Sequence, residues 1–500
     1  MSFHEAFVWT ILRSVVAAGL AVPLSVYLSR LVQQSTGRSR FWWMLLVLCP
    51  LVAPDLIIGY GYRSFELSLL HRPVLNHWFY FVLVLLKFLP AAAVVRICSP
   101  PAPVSKAALH CARLVESRTA GKRQHRSMRS KTEWLRHIPV FGIVFLLSMQ
   151  EFEIASLLQI PAWTVHVFDA QAGGLNPVAT LKLLIGPVLV QTIVLVPLLW
   201  WGMTNSAAIV PRWRSTDCVS GLSRWLGVTV ASLAVFLTWI VPLSVVTWSG
   251  LSGIGGVLTN PMLLRSTFFD LAAGVALAIP CAVLSLILAR KVMQICRDFY
   301  AATNGFSKAV SSMLLLVIVV PGLFGALAVS IAILVAIQHS ILIELRTTVW
   351  PLATALIIFL VPRAIILAVL LPAFRNSEST FLATLLSKSR DRTRLKNAAS
   401  LKWSCECRPM FLVSAVLFYW CLANLTAAAI LCPPTIPLFS FDGNIVPLPV
   451  RLYKFIHQGR TAALSLMAVL SVLVPFLLLV FTARVAPKIY LRMTSLTGRS

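Results

Sequence analysis

The sequence predicts an all-α, polytopic transmembrane helical bundle of about eleven spans, built as two homologous, parallel-repeat halves. Three observations predict it. Fifty-eight per cent of the 500 residues are hydrophobic and the mean hydropathy is positive, which excludes an ordinary soluble domain. Apolar runs of about 20 residues recur, the length that crosses roughly 30 Å of hydrocarbon. The membrane pattern also occurs twice: Thr10 to Pro23 reads T-I-L-R-S-V-V-A-A-G-L-A-V-P and Thr267 to Pro280 reads T-F-F-D-L-A-A-G-V-A-L-A-I-P.

The spans fall at about 7–29, 41–62, 79–98, 139–160, 179–202, 225–249, 267–289, 311–337, 350–371, 411–432 and 461–484. Proline recurs at matched places in the two series: Pro23 with Pro280, Pro54 with Pro321, Pro90 with Pro362, Pro139 with Pro409, Pro161 with Pro434, and Pro197 with Pro475. Proline removes a helix hydrogen bond, so kinks are expected to belong to the architecture. Five spans make a first half, 1–205. Residues 206–224 form a cytoplasmic linker, and six spans make a second half, 225–500, with 225–249 as the extra one. An odd difference keeps matching segments in the same orientation, so the repeats are parallel.

Charge orients the bundle. The formal net charge is +27, yet 31 of the 43 Lys and Arg residues lie in alternate loops and the tail, against 7 in the intervening ones. Positive loops stay cytoplasmic. This places the N-terminus outside and the C-terminus inside, and it explains the basic balance without nucleic acid. An N-terminus that starts outside points to a first span that has been lost or that precedes the assigned start. No cleavable signal pattern opens the chain. Each half carries one long basic inner loop, at 99–138 and at 373–408, and their equivalent placement suggests two copies of one docking partner.

These motifs resemble the fused, two-unit permease of a binding-protein-dependent ABC importer of the ferric-iron and thiamine type, a type I permease. The resemblance rests on Leu20-Ala21-Val22-Pro23 and Leu277-Ala278-Ile279-Pro280, on Pro54-Asp55-Leu56-Ile57-Ile58-Gly59 and Pro321-Gly322-Leu323-Phe324-Gly325, on Leu89-Pro90 and Val361-Pro362, and on the run Gln150 to Leu158, Q-E-F-E-I-A-S-L-L. It implies a transport subunit, not an enzyme, in a bacterial inner membrane. The implied partners are a cytoplasmic ATPase, two copies per chain, and a periplasmic solute-binding protein. ATP would sit on the partner, with no cofactor on this chain. Ferric iron is the first implied substrate and thiamine the second. In that family a short cytoplasmic E-A-A…G helix fits a groove on the ATPase. The nearest matches are Lys106-Ala107-Ala108 with Ala112, and Ala383 to Ser389 with Ser387 at the Gly position; Asn397-Ala398-Ala399 is a rival register. Neither loop carries the full signature.

Charged residues inside spans are costly and more often functional than those in loops. Glu151 and Glu153 lie two residues apart in the fourth span, so on a continuous helix they face different ways. The resemblance aligns Glu151 with the family's E-F position, on the pathway or at the partner half, and the second-half match is Asn424. Interhelical hydrogen bonding without substrate contact is the structural alternative. Asp55 and Asp270, near span ends, are expected to be solvated. Lys87, Arg96, Lys182 and Arg363 are expected to snorkel. The ten cysteines give no disulfide framework, Cys405-Glu406-Cys407 lacks further metal ligands, and His110, His125 and His137 read as solvated. The sequence has no G-x-x-x-x-G-K-[ST] run, so ATP hydrolysis is expected on a separate protein. An ion-coupled secondary transporter and a non-transporting, degenerate scaffold are the rival readings.

Overall fold

The computed structural model describes residues 2–35, 37–69, 73–99, 136–205, 221–258, 261–301, 313, 317–338, 342–370, 377–387, 392–432, 447–457 and 461–497. Among these residues there is no strand. The first part comprises α1 (Phe3–Gln34), α2 (Gly37–Val52), α3 (Asp55–Leu69), α4 (Pro73–Cys98), α5 (Arg136–Met149), α6 (Glu153–Leu157), α7 (Trp163–Ala172), α8 (Pro177–Leu183) and α9 (Ile185–Asn205). Then come α10 (Gly221–Val235), which runs through a π-turn at Phe236–Ile240 into α11 (Val241–Leu258), and α12 (Pro261–Ala301). The chain continues with α13 (Val317–Leu323), α14 (Ala326–Ile337), α15 (Trp350–Leu370), α16 (Ser377–Ser387) and α17 (Arg392–Lys402). It ends with α18 (Arg408–Leu422), α19 (Leu425–Leu431), α20 (Leu448–His457) and α21 (Thr461–Thr497).

Among the described residues, seven helices are long and apolar enough to cross a membrane, or up to ten if each bent pair counts as one span. The bent pairs are 39–52 with 55–63, turning by 69°, 177–183 with 185–201, turning by 46°, and 317–323 with 326–337, turning by 116°. The expected span 139–160 is not continuous: its helix stops at Met149 and restarts as the short α6. The prolines divide in the same way. Pro23, Pro90, Pro280 and Pro362 sit inside continuous helices. The sharp turns lie at Pro54 and just past Pro321, at Phe324-Gly325.

α4 is the central helix, with 83% of its spanning window buried; the last spanning window, 465–486, is 17% buried. α1 packs on α4 through small residues, Ala6, Thr10, Ser14, Ala17, Ala18 and Ala21, which let the backbones approach closely. Its opposite face, with Val8, Leu12 and Leu20, is exposed and apolar, as a lipid-facing surface must be. A capping box between Ser2 and Glu5 starts the helix. α12 packs in a similar way against α15 and α18. The helix 221–258 packs on α1, α2 and α3 as well as on α21. Its π-turn leaves carbonyls out of register. The Tyr62 hydroxyl donates to the Leu237 carbonyl at 2.7 Å, and the Trp239 indole N–H donates to the Cys49 carbonyl at 2.7 Å. These bonds satisfy backbone groups that no water reaches in a membrane.

Gly322 is where α13 meets α15. A Cβ there would strike the Ile358 carbonyl and the Pro362 ring, whereas a Cβ at Gly19 has nothing within 4 Å. Gly322→Ala is expected to cost about 1–3 kcal/mol through overpacking and to lower the detergent-solubilised melting temperature. Gly19→Ala should leave that temperature unchanged, and equal melting of the two variants would contradict the packing described.

Candidate functional site

Four helix breaks converge on one cavity. They are Ala53-Pro54 between α2 and α3, Gln150 to Phe152 between α5 and α6, Phe324-Gly325 between α13 and α14, and Ala423-Asn424 between α18 and α19. The cavity has a volume of about 140 Å³ and is lined from both parts of the chain. α6 packs on α3, and α19 packs on α14, so each half of the chain sets a short helix against a broken span.

Each break exposes backbone N–H groups, and acidic or amide side chains cap them. Glu151 accepts from the Ile154 N–H at 2.5 Å and from the Ala155 N–H at 3.1 Å, which caps α6. The Tyr80 hydroxyl donates to the same carboxylate at 2.8 Å. Asn424 caps α19 by accepting from the Ala427 N–H at 2.9 Å. Glu153 caps across the molecule: its carboxylate accepts from the Leu425 N–H at 3.0 Å, at the start of α19. The helix break corrects the expectation about the two glutamates. They do not lie on one continuous helix, and both carboxylates border the same cavity. The pair Glu151 and Asn424, matched in sequence, is brought together there, each as the cap of a short helix.

Further bonds join the breaks. The Gln150 amide donates to the Leu323 carbonyl and, at 3.1 Å, to Gln191. The Trp420 indole N–H donates to the Leu51 carbonyl at 3.0 Å. Gly325 has φ +91°, a left-handed backbone that favours glycine, and a Cβ there would press on Gln150 at 3.0 Å.

Four charges differ from expectation. Asp55 is not simply solvated: it forms an ion pair with Lys87, whose side chain is 4% exposed. Lys87 therefore does not snorkel. It sits beside Phe88 and faces the cavity. Arg363 also lines the cavity; it donates to the Phe359 carbonyl one turn back at 3.1 Å and lies over the Phe359 ring at 3.6 Å. Asp270 is 1% exposed and ion-paired with Arg451 of α20, away from this cavity. Arg96 bonds His137 at 3.2 Å, and Lys182 is exposed.

Lys106, Ala107, Ala108 and Ala112 lie outside the described residues, with most of the 99–138 loop. Ala383 and Ser387 lie on α16, which packs on α17 and takes no part in the cavity. Ala383 is buried, and Ser387 is exposed, its hydroxyl donating to the Thr384 carbonyl at 2.7 Å. Sequence reasoning missed Tyr80, Gln150 and Trp420. Each is a polar-tipped side chain in an apolar run, and nothing in its spacing shows that a freed backbone group awaits it. Among the described residues no group of three His, Cys, Asp or Glu side chains forms a metal site. The chain matches no family model, no curated protein and no solved structure.

Removing one buried partner leaves the other unsatisfied. Glu153→Ala should leave the Leu425 N–H without an acceptor and cost about 1–3 kcal/mol, while Glu153→Gln, which keeps an oxygen, should cost less. Thermal melting in detergent ranks them; a Gln variant as unstable as the Ala variant would show that the cap is not what matters. Lys87→Met alone, which strands Asp55, is expected to cost about 3–5 kcal/mol, and the double variant Asp55→Leu/Lys87→Met less than either single change.

Proposed function

We propose that this chain is the membrane-spanning permease of an ABC-type importer, built as two homologous halves in one chain and driven by a separate cytoplasmic ATPase. The single observation that carries the reading is the pairing of helix breaks. Spans that match in sequence break at or near matching places, at Ala53-Pro54 and just past Pro321 at Phe324-Gly325, and at Glu151 and Asn424, and all four breaks border one cavity. Broken helices around a polar site between repeats are the arrangement of alternating-access transporters. In this reading the solute crosses between the halves, past Glu151 and Asn424. The two glutamates position the short helices and touch the pathway from the capped side.

α16 supports a docking role for the second basic loop. Phe381, Leu382 and Leu385 are exposed on it, and the charge pattern assigns this helix to the cytoplasm, where lipid does not cover it. Their spacing puts all three on one face, opposed to the buried Ala383. We assign that face to the ATPase, with the loop 99–138 as its counterpart, and a periplasmic binding protein to the other side of the membrane. Ferric iron, and then thiamine, are the solutes the sequence resemblance suggests. Since no described group of acids, thiols or imidazoles is free to hold a metal, iron would cross with ligands it brings along.

A second reading is favoured by one observation. Buried Lys87, Glu151 and Glu153, with the half-buried Asp55, form an ionisable cluster at the breaks, which is what an ion-coupled secondary transporter would use. Purification of the tagged chain from its own membranes in mild detergent separates the two. The importer reading expects one ATPase at about two copies per chain, and its loss in Phe381→Asp/Leu385→Asp with the chain still folded. An intact chain with no ATPase, together with solute uptake that survives ATP depletion and needs a proton gradient, would transfer the assignment to the secondary transporter.

A further inference from the structure

We infer that the central cavity binds a small oxyanion, with the Arg363 guanidinium as its recognition group. The inference rests on the permease reading and names its substrate class: a solute, or a ligand carried with it, that presents carboxylate, phosphate or sulfate oxygens.

Partners rather than net charge single out the site, since the lining carries three acids against the two cations Lys87 and Arg363. Three acids border the cavity, and each is already engaged. Asp55 is paired with Lys87. Glu151 accepts three hydrogen bonds, from Tyr80, Ile154 and Ala155. Glu153 accepts from Leu425 across the two halves. Arg363 is different. Its polar partner is the Phe359 carbonyl, a neutral group one turn away, and its guanidinium carbon lies over the Phe359 ring at 3.6 Å. Among the described residues no carboxylate lies within ion-pair distance of it. A guanidinium has five donors in a rigid fork, and Arg363 uses one of them on the protein. Arg363 lines the cavity, where an occupant would meet its other donors. A cation with unused donors, on a span and at a cavity, calls for an anion of planar or tetrahedral oxygens. Asn424 and Thr426 add neutral polar groups to the same lining. The volume of about 140 Å³ suits a compact polyatomic anion. A bare metal cation finds no open ligand set in it.

The test uses the purified full chain in lipid nanodiscs, without ATPase, so its failure is separate from a failure of the importer reading. Binding of radiolabelled sulfate, phosphate and citrate is measured at constant ionic strength against sodium chloride, with thiamine as a cationic probe. At least one oxyanion is expected to bind and to raise the melting temperature. Arg363→Gln should weaken it about 10- to 100-fold, the loss of charge-assisted hydrogen bonds. Arg363→Lys, which keeps the charge and loses the fork, should recover part of the affinity. Arg346→Gln, on an exposed turn, should change nothing. The inference is overturned if none of the three anions binds the unmodified chain, if thiamine alone binds, or if Arg363→Gln or Arg363→Lys folds and binds them as the unmodified chain does.

Discussion

Everything in the centre of this molecule follows from the demand that backbone N–H and C=O groups find partners where water is absent. A continuous helix meets that demand by itself. A helix broken inside the bundle does not, and this chain breaks four there. The partners come from elsewhere in sequence: Glu151 and Asn424 for the short helices that follow them, Glu153 for a helix that starts 272 positions further on, and Trp420 and Gln150 for the carbonyls of Leu51 and Leu323. The polar residues are in the membrane because the breaks are there.

The same demand explains how so much charge is tolerated. A carboxylate alone in a low-dielectric interior is very costly. Glu151 is surrounded by two backbone donors and a tyrosine hydroxyl; Asp55 meets Lys87 directly. Tyr80 in turn lies under the Arg13 guanidinium at 5.1 Å, and Arg13 reaches the Pro161 carbonyl at 2.8 Å. A chain of contacts therefore runs from α1 to the cavity wall. Each member leans on the next, so a single replacement strands its neighbour rather than merely losing one bond.

The helical membrane class was legible because it depends on long apolar runs, and most of the expected spans correspond to a long helix or a bent pair. The expected spans 139–160 and 411–432 instead stop part-way and restart as the short helices α6 and α19. In 139–160 the apolar pattern continues past Met149, so hydropathy reads one span; the break at Gln150 is a tertiary event, made possible by donors and acceptors on α4, α13 and α19. Glu151 and Asn424 were legible as a matched polar pair, since polar residues are rare in such runs. Their role as caps was not, because Glu at the second position of Q-E-F-E looks like any intramembrane acid until the helix is seen to stop beside it. The pairing of Asp55 with Lys87 was hidden for a related reason. Both stand near apparent span ends, where snorkelling is the default, and only the 69° turn after Val52 brings the aspartate inward.

The cross-half cap constrains how the protein can move. If the two halves separate on one side of the membrane, three bonds lie in the way: Glu153 to the Leu425 N–H, Gln150 to the Leu323 carbonyl, and Trp420 to the Leu51 carbonyl. Each is made between an early and a late segment, so none survives a rigid separation there. Breaking them in a dry cavity would strand a carboxylate and two carbonyls; breaking them as water or a polar solute enters replaces each partner. Opening and hydration of the cavity are therefore one event. In the proposed permease, a polar occupant would lower the cost of parting the halves by taking over the freed donors and acceptors, through the same hydrogen bonds that hold the resting structure together.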